Sequence, residues 1–135
     1  MPTDKAGSEF LRLKEGQPGV TKLPSGLMYK VLESGAGVKS PGPNTQCECH
    51  YSGQLIKGQQ PLEFDSTYKR GKPLTFAPAQ VIDGWKEAMQ RMKEGDKWEI
   101  YIPAELGYGD EGTPGGPIPP SAALVFQIQL LKING

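Results

Sequence analysis

The segment DGWKEAMQRMKEGD, at residues 83–96, has the apolar spacing of an amphipathic helix. Its apolar side chains recur at i, i+3, i+4 and i+7 and so share one face: Trp85, Ala88, Met89 and Met92. Asp83 is a suitable N-cap residue, and Gly95 is placed where a left-handed residue would end the helix. Because the apolar face must be buried, the rest of the chain has to supply an apolar surface that covers it.

The other apolar segments alternate between apolar and polar residues, which is the period of a β-strand. We predict about five strands, at residues 27–32, 47–53, 74–76, 97–103 and 124–133. Most connections between them are not helical, which favours an antiparallel sheet. Since this sheet is the only large apolar surface for the helix, the sequence predicts an α+β domain with one helix packed across a curved antiparallel sheet.

Residues 1–20 are polar and glycine-rich, and we interpret them as an N-terminal extension to a domain at residues 21–135. A short helix is predicted from Ser8 to about Glu15, with Ser8 as its N-cap. Its apolar side would consist of Phe10, Leu11 and Leu13. A helix this short is unstable alone, so we treat the segment as an appendage.

The charge balance limits the partners that the sequence suggests. Lys and Arg together number 15, as do Asp and Glu, so the formal net charge is zero. This balance argues against a nucleic-acid or anionic-membrane partner. No apolar run approaches the roughly 20 residues of a membrane span. The first residues, MPTDKAGSEF, lack the apolar core of a secretory signal. We therefore expect a cytoplasmic protein, or a secreted one if a signal peptide has been removed.

The sequence offers few residues for metal or covalent chemistry. His50 is the single histidine, and a catalytic triad would have to use it in the middle of a predicted strand. Cys47 and Cys49 lie two residues apart on one face of that strand, and we expect reduced, structural thiols. No glycine-rich phosphate-binding motif precedes a helix. We predict neither a metal nor a cofactor.

The loop GYGDEGTPGGPIPP, at residues 107–120, combines glycines and prolines with one aromatic residue, Tyr108. Five other aromatic residues lie on separate predicted elements or beside turns: Tyr51, Phe64, Phe76, Trp85 and Phe126. Composition alone favours the interpretation that all six fill the core. Tyr108 weakens that interpretation, because loops lie on the surface, where an aromatic ring suits the wall of an apolar cleft.

Five motifs follow one another along the chain: YSGQL (51–55), EFDST (63–67), VIDGWKEAMQRMKEGDK (81–97), ELGYG (105–109) and IPPSAALVFQIQLLKI (118–133). Together they resemble the FKBP-type peptidyl-prolyl cis-trans isomerases, the immunophilins that bind tacrolimus and rapamycin. The resemblance covers residues 24–134. The upstream segment LPSGLMYKVLESGAG (23–37) resembles the macrophage infectivity potentiator (Mip) branch of that family.

The resemblance implies a five- or six-stranded antiparallel sheet wrapped around one short helix, with a pocket above the helix. Trp85 would form the floor, Asp65 would be the single buried charge, and the loop 107–120 would cover the pocket as a flap. The Ile82 backbone N–H and the Tyr108 hydroxyl would donate hydrogen bonds to carbonyl groups of a substrate or macrolide. The residues implied in catalysis are Asp65, Tyr108, Ile82, Trp85 and Phe126. Those implied in binding are Tyr51, Phe64, Phe76, Val81 and Ile118.

The resemblance implies a cofactor-free isomerase that accelerates rotation about X-Pro bonds in proline-containing polypeptides. The alternative is a module that binds macrolides or client chains, or a chaperone, with little turnover. Members of the Mip branch often carry a long N-terminal dimerisation helix, whereas only residues 1–20 precede the domain here. We therefore expect a monomer.

Four features depart from the family pattern. The segment between Gly53 and Phe64 and the flap are longer than in shorter family members, Gln80 stands where many members have Glu, and Cys49 stands where Val is usual. None of these changes removes a residue implied in the pocket. We expect them to affect substrate preference and macrolide affinity more than activity.

Overall fold

The computed structural model describes residues 3–57, 60–109, 111–113, 116 and 118–134. The helices in these ranges are α1 (Lys5–Glu15), α2 (Thr67–Arg70) and α3 (Asp83–Met89), and 3-10 turns span Pro78–Gln80 and Ala104–Leu106. The strands are β1 (Val20–Lys22), β2 (Met28–Glu33), β3 (Cys47–Lys57), β4 (Gln60–Ser66), β5 (Leu74–Phe76), β6 (Lys97–Ile102) and β7 (Leu124–Ile133). None of the helices in these ranges has the length and apolar character needed to cross a membrane.

The described strands form one antiparallel sheet in the order β1-β2-β6-β7-β3-β4, and β5 also pairs with β3. The α+β class is therefore confirmed, although the sheet has seven strands instead of the five or six expected. β1 was missed because three residues show no clear alternation. β4 was missed because it contains Pro61, which is typical of an edge strand.

Helix α3 packs against the inner face of the sheet through the side chains that its spacing predicts. None of these is more than 4% exposed: Trp85, Ala88 and Met89 of α3, and Met92, which follows the helix. They share one core with Ile100 of β6 and Ile128 of β7. The predicted burial of the helix face against the sheet is confirmed.

The ends of α3 differ from the prediction. Ile82 is the N-cap residue, and Asp83 lies in the first turn, where its charge is favourable to the helix dipole. The helix ends at Met89, well before Gly95. Gly95 has a φ of +92°, but it lies in the turn before β6, where its N–H donates to the Leu130 carbonyl at 2.7 Å. This glycine therefore shapes the entry to β6 and does not end the helix.

Helix α1 lies on the opposite face of the sheet and is not a detached appendage. Phe10 and Leu11 pack on a second apolar cluster, formed by Met28, Ile56, Tyr101, Ala123 and Val125. Residues of this cluster alternate along the strands with those of the inner core, as the period of a strand requires. The sheet is thus covered by α3 on one face and by α1 on the other.

The start of α1 also differs from the prediction. Asp4 is the N-cap residue, because its Oδ1 accepts a hydrogen bond from the Gly7 N–H at 2.7 Å. Ser8 lies inside the helix, and Leu13 is 72% exposed instead of packed. The boundary between residues 1–20 and 21–135 stays a prediction, and the packing of α1 indicates that the extension folds onto the domain.

We expect Phe10→Ala to lower the free energy of unfolding by about 2 kcal/mol, because it removes a half-buried ring that packs near Tyr101. Leu13→Ala is the matched control on the same helix and should change that free energy by less than about 0.5 kcal/mol. Urea unfolding of the three proteins measures both effects. Equal effects of the two substitutions would contradict the docking of α1.

Candidate functional site

A cavity of about 380 Å³ lies between α3, the sheet and the loop that follows β6. Its walls are mostly aromatic and aliphatic, with one carboxylate and one side-chain amide among them. The residues that line it are Tyr51, Phe64, Asp65, Phe76, Gln80, Val81, Ile82, Trp85, Tyr108 and Phe126. Cavities of this size and character bind small apolar groups and orient them through a few polar contacts.

Trp85 is the aromatic ring around which the pocket is built. It lies in the first turn of α3 and is 4% exposed. Its ring makes edge contacts with Tyr51, Phe126 and Phe76, at centroid separations of 5.0, 5.1 and 5.3 Å. Edge-to-face packing of this kind is favourable beyond simple burial. The contacts fix four rings from four different elements into one rigid group.

Gly53 allows the Phe64 and Phe126 rings to meet at the far wall of the pocket. The register places Gly53 of β3 opposite Phe126 of β7. A Cβ at this position would lie 2.6 Å from Phe126 Cε1 and 2.9 Å from Phe64 Cζ. Because glycine leaves this space empty, the two rings pack edge to face at a centroid separation of 5.7 Å.

Asp65 accepts hydrogen bonds from two side chains. The Tyr51 hydroxyl donates to Asp65 Oδ2 at 2.5 Å, and Arg70 Nη1 donates to Asp65 Oδ1. Arg70 comes from α2, whose N-cap Ser66 accepts a hydrogen bond from the Lys69 N–H. The short helix therefore turns the guanidinium back toward the carboxylate.

The expectation that Asp65 is the single buried charge was wrong. Its side chain is 29% exposed and forms an ion pair with Arg70, which the sequence interpretation did not include. The reason is that the short helix α2 turns Arg70, five residues after Asp65, back toward the carboxylate. The cap residue Ser66, directly after Asp65, was the signal that could have predicted this short helix.

The pKa values of the pocket groups are shifted in opposite directions. Burial alone would raise the pKa of Asp65, but the hydrogen bonds from Tyr51 and Arg70 outweigh it and hold that pKa below its usual value. Burial raises the pKa of Tyr51, and the hydrogen bond to Asp65 raises it further. Burial and the charge of Asp65 raise the pKa of Tyr108. At neutral pH the carboxylate is therefore ionised, and both hydroxyl groups keep their protons.

Ile82 and Tyr108, which line the pocket, each carry a hydrogen-bond donor. The Ile82 N–H makes no hydrogen bond to any residue that the structure describes, while the Ile82 carbonyl accepts from the Lys86 N–H at 2.9 Å. Tyr108 is 38% exposed and lies just after the 3-10 turn Ala104–Leu106. A backbone N–H and a hydroxyl at the edge of an apolar pocket suit the carbonyl groups of an extended chain.

Nine of the ten predicted site residues line the pocket, and Ile118 does not. Ile118 is 3% exposed and belongs to the inner core. Its N–H donates to Thr113 Oγ1 at 2.9 Å, and its carbonyl accepts from the Thr113 N–H at 2.9 Å. These bonds hold its backbone in the loop, and its side chain packs in the inner core instead of lining the cavity.

Gln80 lines the pocket but was not among the predicted site residues. Its Oε1 accepts a hydrogen bond from the Ala77 N–H at 2.7 Å, which fixes the side chain at the start of the 3-10 turn. The sequence feature that could have identified Gln80 as a pocket residue was its departure from the Glu of many family members.

Part of the predicted flap, at residues 110, 114, 115 and 117, lies outside the described residues.

His50 and both cysteines do not line the pocket. His50 Nδ1 lies 2.8 Å from Thr67 Oγ1, and its ring stacks on Tyr68, outside the pocket lining. Both cysteines are free and buried, and burial raises the pKa of the Cys49 thiol to about 12. The described residues contain no group of three or more His, Cys, Asp or Glu side chains that could hold a metal ion. The arrangement can bind an apolar ring and hold the carbonyl groups beside it.

Known proteins match the chain over most of its length. Residues 37–131 match the family described as FKBP-type peptidyl-prolyl cis-trans isomerase. The chain is 45% identical over 130 residues to the macrophage infectivity potentiator of Trypanosoma cruzi, covering 96% of this chain and 64% of that protein. It is 46% identical over 128 residues to the outer membrane protein MIP of Legionella longbeachae, covering 95% of this chain and 53% of that protein. The chain thus spans less than two thirds of the length of these relatives.

Solved structures of similar proteins have the same fold. FkpA from Escherichia coli superposes with a TM-score of 0.86 at 40% identity, covering 95% of this chain and 57% of that chain. A peptidyl-prolyl cis-trans isomerase from Pseudomonas syringae pv. tomato gives a TM-score of 0.84 at 36% identity, covering 97% of this chain and 92% of that chain. The resemblance predicted from the motifs is confirmed: the chain belongs to the family of FKBP-type peptidyl-prolyl cis-trans isomerases.

Proposed function

We propose that the chain catalyses the cis-trans isomerisation of X-Pro peptide bonds in polypeptides. One observation carries the proposal: four packed aromatic rings form an apolar pocket, which Ile82 and Tyr108 also line. A proline ring fits such a pocket because it is compact and apolar. The proposed reaction requires no nucleophile.

The chemistry of the bond explains why a pocket of this kind is sufficient. Amide resonance keeps the peptide bond planar, and rotation about it costs about 18–20 kcal/mol. Uncatalysed isomerisation of an X-Pro bond takes tens to hundreds of seconds. The twisted transition state has lost resonance and is less dipolar than the planar form. A dry aromatic environment therefore disfavours the ground state relative to the transition state.

The roles of the individual residues follow from their positions. Trp85 would support the proline ring from below. The Ile82 N–H and the Tyr108 hydroxyl would hold carbonyl groups of the substrate and fix the chain on either side of the rotating bond. Asp65, ionised and held by Tyr51 and Arg70, would orient polar groups near the twisting carbonyl.

The ligands and the location of the protein are proposed only in general terms. Proline-containing polypeptides and macrolides of the tacrolimus and rapamycin type are the ligands that the family implies. A monomer without a nucleic-acid partner stays a prediction. The cytoplasmic location also stays a prediction, and the name of the Legionella longbeachae relative, an outer membrane protein, favours the secreted alternative.

The first test is isomerisation of a Leu-Pro peptide with and without rapamycin. We expect turnover that rapamycin blocks, and we expect Asp65→Val to lower kcat/KM by about tenfold, or roughly 1.4 kcal/mol of transition-state binding. Glu63→Val is the matched control, because Glu63 lies on the same strand, is exposed and does not line the pocket. Rapamycin binding without turnover would favour the binding module instead. Absence of both would overturn the proposal.

We expect kcat/KM to be independent of pH from about pH 6 to about pH 9. The reason is that the pKa of Asp65 is lowered while those of Tyr51 and Tyr108 are raised, so no ionisable group of the pocket changes its charge in this range. A buffer series with the same peptide measures the profile. A step in kcat/KM within the range would show that another titrating group contributes.

Arg70→Met should raise the pKa of Asp65, because it removes one of the hydrogen-bond donors that lower it, together with its positive charge. In the wild type the stability due to Asp65 is complete above its unfolded pKa of about 3.9. That stability is lost as the pH falls through the lower folded pKa. In the variant this contribution should be smaller, and its loss should be complete at a higher pH, because the folded pKa lies closer to the unfolded one. An NMR titration of the Asp65 carboxyl carbon measures the shift, and Lys69→Met, which removes the neighbouring ion pair with Glu63, is the control. An unchanged pKa would contradict the assigned role of Arg70.

A further inference from the structure

The N-terminal end of α1 contacts the base of the loop that carries Tyr108. The Asp4 N–H donates to the Ser121 carbonyl at 2.8 Å. Thr3 Oγ1 accepts a hydrogen bond from the Ala104 N–H at 3.0 Å. Thr3 and Asp4 therefore bind both ends of the loop, once before Tyr108 and once after it.

Ala104 and Ser121 are in turn bonded to the residue next to Tyr108. The Gly109 N–H donates to the Ala104 carbonyl at 2.9 Å, and the Gly109 carbonyl accepts from the Ser121 N–H at 2.8 Å. Two chains of hydrogen bonds thus lead to Gly109. One runs from Thr3 through Ala104, and the other runs from Asp4 through Ser121. Any shift of Ala104 or Ser121 would be passed to the backbone that sets the position of the Tyr108 ring.

Ser121 is held in a conformation that needs support from its neighbours. Its φ is 60°. Among the non-glycine residues that the structure describes, it alone has a positive φ. Left-handed backbone is unfavourable for a residue with a Cβ. Such a conformation persists where surrounding contacts fix it. The bonds from Asp4 and to Gly109 provide two of these contacts.

The docking of α1 fixes where Thr3 and Asp4 lie. Gly7 is buried, and a Cβ there would come within 2.8 Å of Ala123 Cβ, so the helix backbone lies directly on the chain two residues after Ser121. Phe10 and Leu11 anchor the same helix on the second apolar cluster. The helix cannot move along the sheet without moving its first residues away from the loop.

We propose that Thr3 and Asp4 are positioning residues for Tyr108, so that the docked N-terminal helix sets the geometry of the substrate-binding loop from the opposite face of the sheet. This inference rests on the proposed function, because it concerns the hydroxyl that would hold a substrate carbonyl. It assigns to the N-terminal extension a part in substrate binding.

The test compares Thr3→Val with Thr3→Ser in the full chain. Valine keeps the shape of threonine but cannot accept the Ala104 N–H, whereas serine can. We expect Thr3→Val to lower kcat/KM for a Leu-Pro peptide about fivefold, mostly through a higher KM, and Thr3→Ser to restore it. Leu13→Ala, on the exposed side of the same helix, should leave kcat/KM unchanged. A loss in Thr3→Val that serine does not restore would overturn the proposal.

A double-mutant cycle with Tyr108→Phe separates positioning from a general loss of stability. If Thr3 acts through the Tyr108 hydroxyl, Thr3→Val should have little further effect once that hydroxyl is absent. Fully additive losses would overturn the proposal, because they would mean that Thr3 acts elsewhere.

Hydrogen exchange provides a measurement that does not depend on activity. Thr3→Val should increase the exchange of the Gly109 and Ser121 N–H groups, while the Leu130 N–H in the core should be unaffected. If the wild type lacks isomerase activity but this change occurs, the proposed function fails and the coupling of α1 to the loop stands. Unchanged exchange at Gly109 and Ser121 would overturn the coupling itself.

Discussion

The packing of Trp85 against three other aromatic rings is the interaction on which the pocket depends. It joins α3 to β3, β5 and β7, so one helix and three strands are held together by a single cluster of aromatic rings. The same rings that complete the core form the floor and walls of the cavity. The walls of the cavity are therefore part of the core packing.

The polar groups are arranged around this apolar centre and not within it. Asp65 lies at one edge with Tyr51 and Arg70, and the Ile82 N–H and Tyr108 hydroxyl lie at the rim. Under the proposed function, such an arrangement would hold a chain by its carbonyl groups while its proline ring enters the apolar pocket. On the opposite face, α1 reaches around to the base of the Tyr108 loop, so both faces of the sheet contribute to the position of the site.

The sequence predicted the parts of this molecule that depend on local periodicity and on the family motifs. The buried face of α3 and nine of the ten site residues are placed as expected, because side-chain spacing and motif order determine them. Three features depended on contacts that spacing does not reveal. Arg70 reaches Asp65 through the short helix α2, Ile118 turns into the core, and Asp4 caps α1 four residues before the predicted start. In each case a hydrogen bond or a tertiary contact overrode the local pattern.

The most direct test of the central claim is the rate of isomerisation of a Leu-Pro peptide in H₂O and in D₂O, measured by NMR exchange between the cis and trans forms. Rotation of an amide in an apolar pocket involves no proton transfer, so the account predicts a ratio of kcat/KM values close to unity. General acid-base catalysis would transfer a proton in the transition state. A clear slowing in D₂O, by about twofold or more, would contradict the account.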